Sequence, residues 1–407
     1  MNILLSSYSI NPYKGSEDAV GWNWLLQVAK HYNKPNDKVY VITKKFNEKD
    51  TIKGIKEYKL DNVKLIIVDV PNCLNWFREK HSMFHHMYYM LWQNEAYKWA
   101  KNSKIKFDII HHVTMGDFRI TGKMYKFKDS YTIFGPVGGG QVTPKRLKCY
   151  ESNKFYEKFR QIVNNATMFL PSYGKNIKRF NAVYAVNAET AEILQKSSGR
   201  KIELLTDVAL TDNLKNLNIN KRQDNVIPII IFVGRLIEKK GIIFLLDIIK
   251  SLPFDLPFSL EIYGNGPLKG QIKTYIIQNN LSDKVCLKGT LPYAEIYSVY
   301  KSADIFVLPS LRETGGTVLT EAMAHKLPIC SLDMSISKTL SKNKCGLFTN
   351  VNQSKEEIIN EFANNIAVLI KNPDLRRQLG ENGYHYANNE LTWDKKFETV
   401  YNQISNW

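Results

Sequence analysis

The chain has 407 residues, 44% of them hydrophobic and 12% aromatic, with a formal net charge of +17. That length exceeds one ordinary core and points to two domains, and the composition excludes a disordered or low-complexity chain. The positive balance favours anionic partners without choosing among nucleic acid, anionic lipid and phosphorylated substrates.

Met1 to Ile10 is apolar, lacks a basic leader and a small-residue cleavage site, and runs into Asn11-Pro12. It reads as a first strand, Asn2 to Ser6, rather than a signal peptide. The loop through Gly15-Ser16-Glu17 leads to a helix holding Val20, Trp24, Leu25 and Val28. A strand, a glycine loop and a helix start make a nucleotide-binding style of opening, although any turn can use a glycine. Lys38 to Thr43 and Val63 to Val70 are the next strands, and the alternation with helices predicts a parallel sheet.

From Trp76 to Trp99 large apolar residues recur at helical spacing with Lys and Arg between them. Such a stripe is either core or a helix that lies on a membrane surface. His81 and His85 stand four apart, as two zinc ligands would, but without a clear third. Phe107 to Thr114 is a strand ending in polar residues, which places His111 or His112 where open α/β sheets receive ligands, or else in hydrogen-bonded burial. Phe134 to Gln141 is a further strand exit, with Gly138, Gly139 and Gly140 able to bring backbone against a ligand or simply to turn.

Lys145 to Phe180 is basic and aromatic, with one or two helices, and Ala182 to Val186 followed by Asn187-Ala188-Glu189-Thr190 predicts a strand and a capped helix. The stretch 206–225 turns polar and is the expected linker, between an N-terminal domain of residues 1–205 and a C-terminal domain of residues 226–390. Residues 391–407 read as a terminal helix.

The second half restarts at the strand Ile227 to Val233, followed by Gly234-Arg235 and Lys240-Gly241. Arg235 can fork onto phosphate oxygens and Lys240 adds a point charge, unless both are solvated surface groups. Leu260 to Gly264 and Val285 to Gly289, with Leu291 beyond, are two more strand exits. As a dinucleotide fingerprint the glycines after Tyr263 fail, because the spacing is wrong and Pro267 intrudes.

A buried strand from Ala303 to Leu308 then ends at Pro309-Ser310, and Val318, Leu319, Ala322 and Met323 recur at helical spacing. Glu313 therefore sits on a loop and Glu321 one turn inside a helix. Thr314, Gly315, Gly316 and Thr317 lie between them, where unpaired backbone N–H groups accept an anion. Side chains lean toward a helix N-terminus, so Glu321 is aimed at whatever the loop holds, and a carboxylate suits a ribose diol.

That spacing, Glu-x7-Glu between a strand-Pro-Ser and an Ala-Met-Ala helix, resembles the donor-site motif of family 4 retaining glycosyltransferases. Gly234-Arg235 to Lys240-Gly241 matches the donor-phosphate motif of the family. The Gly-Ser-Glu opening and Gly135-Pro136-Val137-Gly138-Gly139-Gly140 are similar to a subgroup that carries both. The resemblance implies a GT-B fold, α/β with two Rossmann-like domains whose parallel sheets face an interdomain cleft, and with helix 391–407 crossing back to complete the N-terminal domain.

It also implies a retaining, metal-independent hexosyltransferase, and no Asp-x-Asp occurs in the chain. On that basis Glu313, Arg235, Lys240 and His112 are candidate catalytic residues. Gly15, Gly234, Arg235, Lys240, Gly264, Gly289, Leu291, Glu313 to Thr317 and Glu321 are candidate donor contacts, and Gly138, Gly139 and Gly140 lie on the acceptor side. Relatives often carry His-x-His where this chain has His111-His112-Val113, and a glycine-rich turn where it has Asp333 to Lys338.

The implied donor is a nucleotide diphosphate sugar, with no metal or other cofactor, and the acceptor a glycan or lipid-linked molecule. An anionic membrane surface is a further candidate partner. Nucleic acid is not expected, since the basic residues are dispersed and no binding module is recognisable. Alternatives are a nucleotide-sugar epimerase on the same fold and a non-catalytic nucleotide-sugar binder. No apolar stretch approaches the ~20 residues of a membrane span. The five cysteines form no Cys-x-x-Cys pair, which fits a reduced, cytoplasmic protein, free or peripheral at the inner membrane face.

Overall fold

In a computed structural model, which describes residues 1–71, 82–152, 154–217 and 225–406, most of the apolar runs become buried strands. Asn2–Ser7 (β1), Lys38–Thr43 (β2), Val63–Ile67 (β3), Ile109–Thr114 (β4), Tyr131–Val137 (β5), Ala182–Ala185 (β6) and Glu203–Leu204 (β7) form one sheet, in the order β3-β2-β1-β4-β5-β6-β7. The pairings are parallel, with Leu4 of β1 opposite both Tyr40 and Ile110. The order reverses direction beside β1, which leaves the carboxyl ends of β1 and β4 adjacent.

Ile229–Val233 (β8), Ser259–Tyr263 (β9), Val285–Gly289 (β10), Ile305–Leu308 (β11), Ile329–Leu332 (β12) and Gly346–Thr349 (β13) form the second parallel sheet, in the order β10-β9-β8-β11-β12-β13. The chain accordingly divides into two compact units. The first is Met1–Gly140 with Gln161–Asp207 and Trp393–Trp407, and the second is Gln141–Arg160 with Val208–Thr392.

In the first unit the helix Ser82–Asn102 buries Tyr88, Tyr89, Trp92 and Ala96 against β-sheet residues such as Leu4, Ile42 and Ile110. The described part of the aromatic stripe is therefore core, and only Met87 and Met90 of its large apolar residues stand out as exposed. His81 lies outside the described residues, as does the side chain of His85. The predicted cap is present: the Asn187 side chain accepts from Thr190 N and starts the helix Ala188–Ser198, which Gly199 ends in the left-handed conformation. The C-terminal helix Trp393–Tyr401 packs on this unit through Trp393 against Trp24 and Tyr401 against His111. Buried Lys396 donates to Thr206, and burial lowers its pKa against the opposing pull of Asp207.

The second unit takes in the segment 141–160, which the sequence places with the N-terminal domain. A short 3-10 turn, Lys145–Tyr150, puts Leu147 into the core formed by residues such as Phe232, Phe244 and Leu260. Tyr150 donates to Asp247, and Ser152 N donates to Glu238 Oε2 at 3.0 Å. Among the described residues, no helix is long and apolar enough to cross a membrane.

Candidate functional site

The donor-side candidates converge at the carboxyl ends of four neighbouring strands in the second unit. Gly234 N donates to Tyr263 O at 3.0 Å, Leu236 N to Asn265 O at 2.9 Å, and Gly264 N to Gly289 O at 2.7 Å. The loops after β8, β9 and β10 are thereby stitched edge to edge. Close approach explains two of the glycines: a Cβ on Gly264 would stand 1.8 Å from Gly234 O, and one on Gly241 would stand 2.1 Å from Pro309 O. Both also hold positive φ, so any other residue is excluded twice over. Leu311 N donates to Lys239 O at 2.9 Å, which ties the loop after β11 to the loop after β8.

On that scaffold Lys240 Nζ lies 2.5 Å from Glu313 Oε2, with both side chains largely buried. Ser310 Oγ donates to the same oxygen at 3.0 Å, and Thr314 N reaches Oε1 at 3.3 Å. Two residues 73 apart in sequence thus meet, and Glu313 is held by three donors rather than free to turn. Arg235 is exposed, and among the described residues its guanidinium makes no hydrogen bond or ion pair. Its field is nonetheless felt locally. Desolvation, and then repulsion by Lys240, Arg312 and Arg235, lower the pKa of the neighbouring Lys239 ammonium, with Glu313 opposing. The loop is electropositive around one carboxylate.

The helix Thr317–Ala324 begins behind Gly316, which adopts the left-handed conformation at its N-cap. Glu321 lies one turn in, only 4% exposed, and accepts a 2.7 Å hydrogen bond from Tyr300. Tyr300 also stacks on His325, whose Nδ1 is 2.7 Å from the Glu321 carbonyl. Tyr300 has no signal of its own in the sequence. It belongs to the helix Tyr293–Ser302, which carries no motif, and only its position in space couples it to Glu321. Leu291 is exposed two residues past β10, with Gly289 at the strand end.

The remaining candidates belong to the first unit. Gly15 is exposed in the loop before the helix Glu17–His31, and Glu17 of that helix accepts from Gly116 N at 2.9 Å. Gly138 N donates to Gly116 O and Phe118 N to Gly138 O. Gly139 has φ 105°, and Gly140 N donates to Thr190 Oγ1 at 3.1 Å. The three glycines here join β5 to the exit of β4 and to the start of the Ala188–Ser198 helix.

Both histidines are buried and neutral. His111 donates from Nε2 to Gly135 O at 2.7 Å and accepts at Nδ1 from Tyr401. Burial pushes its pKa down to about 3, despite the Gly135 bond and helped by His112. His112 Nε2 is 2.9 Å from the Tyr89 hydroxyl and its Nδ1 3.1 Å from Gln93 Nε2, with burial lowering its pKa to about 4. Their hydrogen-bonding capacity is used inside the unit. Of the two readings open to a strand-end histidine, this geometry is the buried, hydrogen-bonded one.

Two parallel-sheet Rossmann-like domains define the GT-B class. Within this chain, residues 216–386 match the family described as "Glycosyl transferases group 1". An uncharacterized glycosyltransferase of Methanocaldococcus jannaschii is 30% identical over 179 residues, 43% of this chain and 48% of that protein. The amylovoran biosynthesis glycosyltransferase of Erwinia amylovora is 38% identical over 125 residues, 29% of this chain and 31% of that protein. The chain thus spans about half or less of the length of these curated relatives.

Among solved structures, sucrose-phosphate synthase from Thermosynechococcus elongatus aligns over 100% of this chain and 99% of its own, with TM-score 0.68 and 18% identity. The Anabaena protein HepE, solved in complex with UDP, aligns over 100% of both chains with TM-score 0.65 and 14% identity. At those identities the likeness establishes the fold alone.

Proposed function

We propose that the protein is a retaining glycosyltransferase. It moves a hexose-type sugar from a nucleotide diphosphate sugar to a glycan or lipid-linked acceptor, in surface polysaccharide biosynthesis. The observation that carries this reading is the meeting of Glu313 with Lys240 on stitched strand-end loops, with the Tyr300-held Glu321 one turn inside the helix that follows. The group 1 match over 216–386 and the relative named for amylovoran biosynthesis support it.

In the proposed reaction the bond between the anomeric carbon and the diphosphate oxygen breaks, and negative charge builds on the departing group. Arg235, Lys240 and the unpaired N–H groups at the start of the Thr317–Ala324 helix stabilise that charge without a metal. Glu321 holds the ribose. Glu313, already aimed by Ser310 and Lys240, orients the sugar and steadies positive charge on its ring. The departing phosphate takes the acceptor proton in a front-face attack. Gly289 and Leu291 flank the base, Gly15 approaches the donor diphosphate, and Gly138 to Gly140 line the acceptor side. His112 is proposed as a positioning residue there, acting through Tyr89.

An anionic membrane surface at the inner face of the cytoplasmic membrane is the proposed place of work. Phe159, Ile162, Phe169 and Leu170 are exposed on and just after the helix Lys154–Phe169, with Phe169 76% exposed, and Lys158 stands among them. Apolar side chains beside ammonium groups suit a bilayer of acidic lipid. Flotation with anionic liposomes tests this, and protein left at the bottom of the gradient contradicts it.

A thermal-shift panel of UDP-, GDP- and ADP-sugars tests the donor assignment, because a ligand that binds only the folded state raises the melting point. One nucleotide series is expected to stabilise the protein, and no response to any of them contradicts the reading. Donor turnover in the absence of acceptor would point instead to an epimerase.

A further inference from the structure

The residue before Glu313 is an arginine, and the fold goes to some length to hold it elsewhere. Arg312 Nη1 lies 2.6 Å from Glu157 Oε1, and Arg312 Nε lies 3.8 Å from Glu151 Oε1. Both carboxylates are almost fully buried. Each is itself fixed: Arg160 Nε donates to Glu157 Oε2 at 3.0 Å, and Thr143 Oγ1 donates to Glu151 Oε1 at 2.5 Å. Arg160 Nη2 also binds Gln141 O at 2.8 Å, and Gln141 Nε2 reaches the backbone carbonyl of Glu313 at 3.3 Å. All of these partners come from the segment Gln141–Arg160, which joins the second unit by burying Leu147 in its core.

We propose that Glu157, with Glu151, is a positioning residue that sequesters the Arg312 guanidinium and so keeps Glu313 paired with Lys240. The alternative pairing is close at hand. Arg312 and Glu313 are chain neighbours, and a guanidinium fork binds a carboxylate bidentately and more tightly than an ammonium does. Released from Glu157, Arg312 would compete for Glu313 and bring positive charge toward a sugar ring that itself becomes positive in the proposed reaction. Two buried carboxylates around one arginine are costly to maintain unless well paired. Their arrangement around the loop of Glu313, rather than elsewhere in the unit, is what the proposal explains. It rests on the glycosyltransferase reading only for its consequence in catalysis, not for the pairing itself.

The test compares wild type, Glu157→Gln, Arg312→Leu and the double variant by two readouts. The first needs no activity: the rate at which an amine-reactive ester labels Lys240, resolved from Lys239 by fragment mass spectrometry. Labelling is expected to rise at least about 5-fold in Glu157→Gln, where Arg312 takes Glu313, and to fall back to within about 2-fold of wild type in the double variant. The second is turnover of whichever nucleotide sugar stabilises the wild type, together with affinity for the matching nucleoside diphosphate. In Glu157→Gln, kcat is expected to fall about 10-fold or more with nucleotide affinity within about 3-fold, and Arg312→Leu is expected to restore most of it.

If Glu157→Gln does not fold, Glu157→Asp carries the same comparison, because the shorter arm draws the carboxylate back from Arg312. Unchanged labelling in the single variant, or labelling equally high in the double variant, overturns the proposal. A merely structural loss would not be rescued by removing the arginine. Failure of every nucleotide sugar to bind the wild type would sink the proposed function and leave the labelling result standing.

Discussion

The two sheets share one architecture and treat their carboxyl edges in opposite ways. In the second unit, backbone contacts between glycine-bearing loops bring β8, β9, β10 and β11 to a common rim. Charged groups stand on that rim, with Arg235 exposed and Lys240 against Glu313. In the first unit the histidines at the end of β4 face inward. His111 and His112 are neutral and locked to Tyr401, Gly135, Tyr89 and Gln93. A strand end supplies chemistry only when its side chains keep hydrogen-bonding capacity for a ligand, and a strand end whose capacity is spent supplies rigidity. The rim of the second unit keeps charged groups at its surface, whereas in the first unit these two histidines are spent on internal bonds.

The contrast breaks most readily at Glu313. Glu313→Gln keeps the shape and removes the charge, and it is expected to lower kcat about 100-fold or more, in line with the ~2.7–4 kcal/mol carried by a single well-placed electrostatic group. Steady-state transfer assays check this, and a full rate would remove Glu313 from the mechanism.

Acid should next separate the units. A histidine whose folded pKa lies below its unfolded value of about 6.5 contributes stability that is complete above that value. The contribution is lost as pH falls toward the folded values, about 3 for His111 and about 4 for His112. Between pH 6.5 and 4 these two histidines are therefore expected to withdraw on the order of 5 kcal/mol from the first unit. His111→Gln with His112→Gln should flatten that slope, as denaturant titrations at several pH values would reveal. Equal acid sensitivity in the double variant would contradict the assignment.

A smaller effect sharpens the comparison from the other side. Leu147→Ala removes the apolar anchor of the 141–160 segment and is expected to cost the second unit ~2–4 kcal/mol. Chemical denaturation followed by hydrogen exchange would locate the loss, and protection falling mainly in the first unit would mean that the anchor serves the other core.

Much of this was legible in the sequence. Strand-to-loop exits at Val233, Tyr263 and Leu308 announced themselves because buried parallel strands are continuous apolar runs closed by glycine or proline. Glu313 and Glu321 were placed correctly on loop and helix because their spacing is local. What stayed hidden is non-local. Leu147 and Tyr150 lie in a basic, aromatic stretch with no period that points to Asp247, 97 residues away. Nothing in the sequence around Arg312 points to Glu151 and Glu157, which pair with it in the fold. The choice between a reactive and a buried His112 depended on Tyr89 and Gln93, which approach from another helix.

The most direct test of the central claim is calorimetric titration of UDP, GDP and ADP into the wild type and into Arg235→Ala. The account predicts that one of the three binds the wild type and that the arginine variant binds it at least about 10-fold more weakly, as expected for loss of a charge-assisted phosphate contact. Binding of equal strength in the two proteins would contradict it.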